Sequence, residues 1–181
     1  MTPTEPGAPR YDGFTIVLHW ATAALVVVLW LCAQIIDVFP SGPPRIAARS
    51  SHISLGVVLA GVLVIRLLWR LTFGRSLVPG DPGLLGRLAT WVHWLLYVLL
   101  AVLVLGGLLN VWVRGDSFFG LFAVPALSPG DRWLRRLVGG VHELAANAFL
   151  ILFGLHTLAA LVHHFILRDA TLQRMLHGPR G

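Results

Sequence analysis

Four apolar runs separated by turn-rich connections constrain this chain more than any other feature. They cover about residues 14–37, 52–72, 88–113 and 137–167 of 181. Each reaches the roughly 20 residues that a helix needs to cross a hydrocarbon core of about 30 Å. In that core every backbone N–H and C=O must find a partner inside the protein, and a helix pairs them locally. The expected fold is therefore all-α, an integral membrane four-helix bundle forming a single domain over residues 1–181. The last run is the longest, some 45 Å at about 1.5 Å per residue, so its final turns should reach the lipid headgroups. The first run is too long for the apolar part of a signal peptide, and Leu31-Cys32 lacks the small residues that precede a lipidated cysteine. It is read as a mature span.

Composition narrows the partners. With 56% hydrophobic and 12% charged residues the chain is too apolar for disorder, and its single cysteine excludes a disulfide framework. All 14 basic residues are arginine, and the net charge is +6. These arginines lie between apolar runs and are not gathered on one solvated face, which argues for a lipid bilayer as partner and against nucleic acid. Four spans place both termini on one side. With the termini inside, Arg10, Arg66, Arg70, Arg75, Arg87, Arg168, Arg174 and Arg180 are cytoplasmic, against Arg45, Arg49, Arg114, Arg132, Arg135 and Arg136 outside. The excess, eight against six, favours cytoplasmic N and C termini.

Histidine is the anomaly. His19, His52, His93, His142, His156 and His163 lie within or beside the apolar runs, where ionisable groups are costly and usually functional. Depth sorts them. His19, His93 and His156 fall near the cytoplasmic face, and His52 and His142 near the outer face. His142 and His156 are separated by fourteen residues, a rise of about 21 Å and a rotation that returns to within about 40°, so one helix face offers an imidazole at each level. Facing imidazoles at two depths are what two bis-histidine hemes in a bundle core require. Spacing alone allows either His19 or His93 to face His156. Zinc would want three or four ligands converging on one point, and a proton relay of histidines is the other competing reading.

These residues carry a resemblance. Leu18-His19-Trp20, His52 followed by Arg66-Leu67-Leu68-Trp69-Arg70, and His93 four residues before Tyr97 resemble the bacterial cytochrome b561 family. The stretch from His142-Glu143 through Gly154-Leu155-His156 to His163-His164-Phe165, then Arg168-Asp169-Ala170-Thr171-Leu172, is similar to its superoxide oxidase branch. The resemblance implies two heme b groups, with His19 and His156 on the iron at the cytoplasmic side and His52 and His142 at the periplasmic side. It leaves His93 without an assigned role.

The implied activity is that of an oxidoreductase of the respiratory chain, moving electrons from periplasmic superoxide to ubiquinone. The alternatives are an electron-transfer subunit serving a partner dehydrogenase or cytochrome, as in the related membrane anchors of formate dehydrogenases and hydrogenases, and a non-redox transporter or proton channel. His93, His163, Arg66 and Arg70 are candidates for contacts to quinone or heme propionates. His163 lies about 20° off the His156 face and is suited to hand a proton to a quinone. Arg45, Arg49, Arg132, Arg135 and Arg136, together with Arg114, make the outer connections basic against Asp37, Asp116 and Asp131 and would steer a small anion. Asp169 is expected to cap or balance Arg168, and Glu143 to be a carboxylate at a helix N-terminus, with a proton acceptor or a heme-propionate neighbour as the alternatives.

Overall fold

The computed structural model describes residues 11–74, 83–118, 121–128 and 130–176. Of the residues weighed above, Arg10, Arg75 and Arg180 lie outside the described residues. Four long helices dominate: α1 (Gly13–Ile36), α2 (Pro43–Thr72), α3 (Leu84–Arg114) and α4 (Arg132–Phe165), followed by a short α5 (Gln173–Leu176). Each of the first four is long and apolar enough to cross a membrane. Large apolar side chains such as Val17, Trp91, Leu105 and Ile151 are exposed along their lengths, as expected of surfaces solvated by lipid.

Sequence chemistry sets the ends. Asp12 caps α1, accepting from Thr15 N at 2.8 Å and from its hydroxyl at 2.7 Å. Pro43 and Pro44 open α2, where their missing N–H groups cost nothing. Gly115 ends α3 at φ 75°, and a Cβ there would meet Ala126 at 3.0 Å; only glycine serves this left-handed cap. Asp131 caps α4 through Leu134 N at 2.9 Å. Within the spans, Thr22, Ser54 and Thr157 donate their hydroxyls back to the carbonyls four residues earlier, so these three O–H groups are paired inside their own helices.

The helices run past the apolar runs. α2 starts at Pro43, nine residues before His52, and α4 at Arg132, five before Leu137. An apolar run ends where side chains reach the headgroups, but backbone pairing continues beyond it. Arg45, Arg49, Arg132, Arg135 and Arg136, read above as residues of connections, therefore project from helices, and Arg114 is the last residue of α3. Between α3 and α4 a small hairpin forms, β1 (Ser117–Phe118) antiparallel to β2 (Phe122–Ala123). Ser50 donates to the Ser117 carbonyl at 3.2 Å and Arg49 pairs with Asp116 at 3.4 Å, fastening the hairpin to α2.

α1 packs along α2 and α3 along α4, with α2 touching α3. Contacts between ends establish the alternation of direction: Trp69 near the end of α2 donates to Asp12 at the start of α1 at 3.2 Å, and Trp20 donates to the Met175 carbonyl beyond α4 at 2.8 Å. The buried centre comprises Val26, Leu29, Leu59, Leu63, Leu100 and Phe149. It lies between the two histidine levels.

Candidate heme-binding levels

At the level nearer the chain termini, here called inner, α1, α3 and α4 bring three imidazoles together. The His19 and His156 ring centres are 6.4 Å apart, and the His93 and His156 centres 5.2 Å. A metal–imidazole bond of about 2 Å plus roughly 1 Å from nitrogen to ring centre, taken on both sides, requires about 6 Å between centres. His19 with His156 fits an intervening iron; His93 stands too close to His156. Arg66 of α2 reaches the same place, its Nη2 donating to His19 Nδ1 at 3.1 Å and its guanidinium lying 5.1 Å from the centre of the Tyr97 ring. Because arginine only donates, His19 Nδ1 accepts here and the ring proton sits on Nε2. Ligation through Nε2 therefore requires the other tautomer, with Arg66 turned aside.

At the outer level His52 of α2 and His142 of α4 lie close enough to interact electrostatically. His52 Nδ1 faces the Leu29 carbonyl at 3.1 Å, the backbone contact that holds a ligand imidazole with its Nε2 free for the metal. His142 lies against the backbone of α3: a Cβ on Gly107 would meet its Cε1 at 3.3 Å, and one on Gly106 its Nδ1 at 3.6 Å. A Cβ on Gly56, one turn past His52 on the same face, would meet nothing within 4 Å, which leaves room beside the ring for a flat macrocycle. The residues at both levels fit heme ligation. Sequence reasoning missed Gly106 and Gly107; their signal was a glycine pair inside an apolar run, fourteen residues past His93.

Above the outer level opens a cleft of about 450 Å³ lined by Arg49, Arg114, Asp116, Arg135, Arg136, Gly139, Gly140 and Glu143. A second, of about 270 Å³, is lined by Arg132, Arg135 and Arg136. Arg45 lines neither; it pairs with Asp37 at 3.5 Å and donates to the Phe39 carbonyl, closing the turn between α1 and α2. Glu143 is not at a helix N-terminus as expected, because α4 begins eleven residues earlier, at Arg132. It belongs to the cleft.

At the inner rim His163 Nδ1 contacts Asp169 Oδ2 at 2.5 Å. The chain reverses through Arg168 at φ 53°, so Asp169 meets His163 and not Arg168 as expected. Slight burial pushes the Asp169 carboxyl up, but hydrogen bonds from His163 and Thr171 outweigh it and hold the group at about 2. Arg70 is exposed at the same end, one turn beyond Arg66.

Comparison with known proteins agrees with this architecture. The family described as prokaryotic cytochrome b561 matches residues 10–178. A probable superoxide oxidase CybB of Yersinia pestis is 31% identical over 176 residues, covering 95% of this chain and 98% of the relative. Cytochrome b561 homolog 1 of Escherichia coli (strain K12) is 29% identical over 92% of this chain and 97% of its own, and cytochrome b562 of Cereibacter sphaeroides 28% over 93% and 96%. Four apolar helices with partly buried imidazoles at two depths and a match over nearly the whole length lead to one conclusion: the chain belongs to the prokaryotic cytochrome b561 family, the heme-binding electron-transfer cytochromes of bacterial membranes.

Proposed function

We propose that this protein is a diheme cytochrome b of the inner membrane, a single domain that takes electrons from superoxide at the periplasmic face and delivers them to ubiquinone near the cytoplasmic face. The observation that carries the reading is the pairing of imidazoles at two depths, His52 with His142 and His19 with His156, beneath a cleft rich in arginine. Heme b bound at these levels supplies reversible one-electron chemistry, while the protein tunes it through ligands, burial and hydrogen bonds. Two superoxide anions each give up one electron and leave as dioxygen; one quinone takes both electrons and two protons to become quinol. Arg49, Arg114, Arg135 and Arg136 raise the local concentration of an anion above His142, an effect that salt weakens. His163, held by Asp169, would pass a proton toward the quinone. The termini are cytoplasmic in this orientation.

A reduced-minus-oxidised optical spectrum of the purified protein tests the cofactor first: b-type bands at about two hemes per chain support the reading, and a colourless preparation refutes it. A superoxide pulse should then reduce the hemes and quinone reoxidise them. Replacing Arg135 and Arg136 by Gln should slow reduction at low ionic strength and flatten its salt dependence. Heme bands that superoxide leaves unchanged would instead assign the protein to electron transfer from a partner dehydrogenase or cytochrome.

A further inference from the structure

The two paired levels place groups of opposite polarity beside a ligand imidazole. His52 Nδ1 faces the Leu29 carbonyl, and a ring that donates to a backbone acceptor becomes a more electron-rich ligand. His19 Nδ1 faces the Arg66 guanidinium; with iron on Nε2 the ring could no longer accept from it, but the side chain stays charged and keeps its place on α2 beside that level. The outer level thus has a carbonyl dipole at its ligand and the inner level a fixed cation. Arg66 is partly buried within the bundle, over Tyr97, and none of the ion pairs among the described residues includes it. The described carboxylates at that end are engaged elsewhere, Asp12 with Thr15 and Trp69 and Asp169 with His163 and Thr171. The outer level also has a neighbouring cation, Arg114 beside His142. That residue is exposed and shares its cleft with Asp116 and Glu143, so water and carboxylates screen it more strongly.

We propose that Arg66, steadied by Tyr97, is a positioning residue for the direction of electron transfer: its charge holds the inner redox centre at a higher reduction potential than the outer one. This rests on the diheme reading and adds to it the reason that electrons run inward. The test is a redox titration of the purified holoprotein, with each centre identified from the His142→Ala and His156→Ala variants. Arg66→Met should shift electron sharing between the centres at least tenfold toward the outer one, about 59 mV for a one-electron couple. The outer midpoint should stay in place, and Arg66→Lys should recover most of the shift. Unchanged midpoints in Arg66→Met, or equal movement of both, would overturn the proposal. If Arg66→Met takes up no inner heme, Val62→Glu, one turn earlier on the same helix, keeps the arginine and neutralises its field; the inner midpoint should fall likewise, and no fall overturns the proposal. Failure of the diheme reading shows differently, as a wild-type protein without two resolvable b-type centres.

Discussion

The contact between His142 and α3 can be probed by a pair of substitutions that differ by one position. Gly106 and Gly107 are adjacent in the same helix, so replacing either by Ala removes similar backbone freedom and adds similar helix propensity, up to about 1 kcal/mol. What differs is the ring. A Cβ at position 106 would lie 3.6 Å from His142 Nδ1, ordinary van der Waals contact, whereas at position 107 it would lie 3.3 Å from Cε1. In the second case the imidazole must give by a few tenths of an ångström, and overpacking of this kind costs about 1–3 kcal/mol. Taking about 1–2 kcal/mol as the difference between the variants, Gly107→Ala should weaken outer-heme retention roughly 5- to 30-fold relative to Gly106→Ala. The assay is transfer of heme to an acceptor protein followed by optical spectra, with electron paramagnetic resonance of the oxidised protein reporting the angle between axial rings. The inner heme should be untouched in both. Indistinguishable behaviour of the two variants, or a change confined to the inner heme, would refute the placement of His142 as an outer ligand held against α3.

Two further outcomes follow from named contacts. His19→Ala should lose the inner heme and His93→Ala keep both, because only the 6.4 Å pair has the separation that an intervening iron would need; the reverse result in heme content would make His93 the ligand. Asp169 is depressed in the folded protein to about 2 from an ordinary 3.8, so its contribution is complete above pH 4 and disappears as pH falls toward 2. The protection factor of the Thr171 amide, which donates to that carboxylate at 2.8 Å, should fall over this window in wild type and be low throughout in Asp169→Ala.

Much of the site was legible because a bilayer makes polar residues conspicuous. Six histidines in or beside apolar runs cannot be attributed to solvated surface, and the rise of a helix converts their positions into depths. Lateral distance is not encoded that way. His19 and His93 share a level, and only the packing of α1, α3 and α4 separates 6.4 Å from 5.2 Å. Helix ends were not legible in the apolar runs because hydropathy reports where lipid begins, while Asp131 and the prolines at 43 and 44 start helices before those runs. That shift made helical residues of the outer arginines and moved Glu143 into mid-helix. The partner of Asp169 depended on a left-handed turn at Arg168, a conformation that sequence gives no reason to expect of arginine.

The spacing of the levels has a consequence for protons. On α2, α3 and α4 a buried residue stands seven positions from each level: Leu59 between 52 and 66, Leu100 between 93 and 107, Phe149 between 142 and 156. On α1, Val26 stands seven beyond His19. Seven residues are about two helical turns, so all four return close to the faces that carry the histidines, about 10 Å from them in depth. The bundle is therefore closed at mid-depth by apolar side chains, with no side-chain donor or acceptor among these four to carry a proton chain. Electrons can cross such a layer; protons and water cannot follow at comparable cost. On the proposed reading, superoxide oxidation at the outer face releases no proton, but quinone reduction at the inner face consumes two. Those protons must then enter from the inner side, where His163 and Asp169 stand at the water boundary, so electron transfer through this bundle carries charge across the membrane as it proceeds.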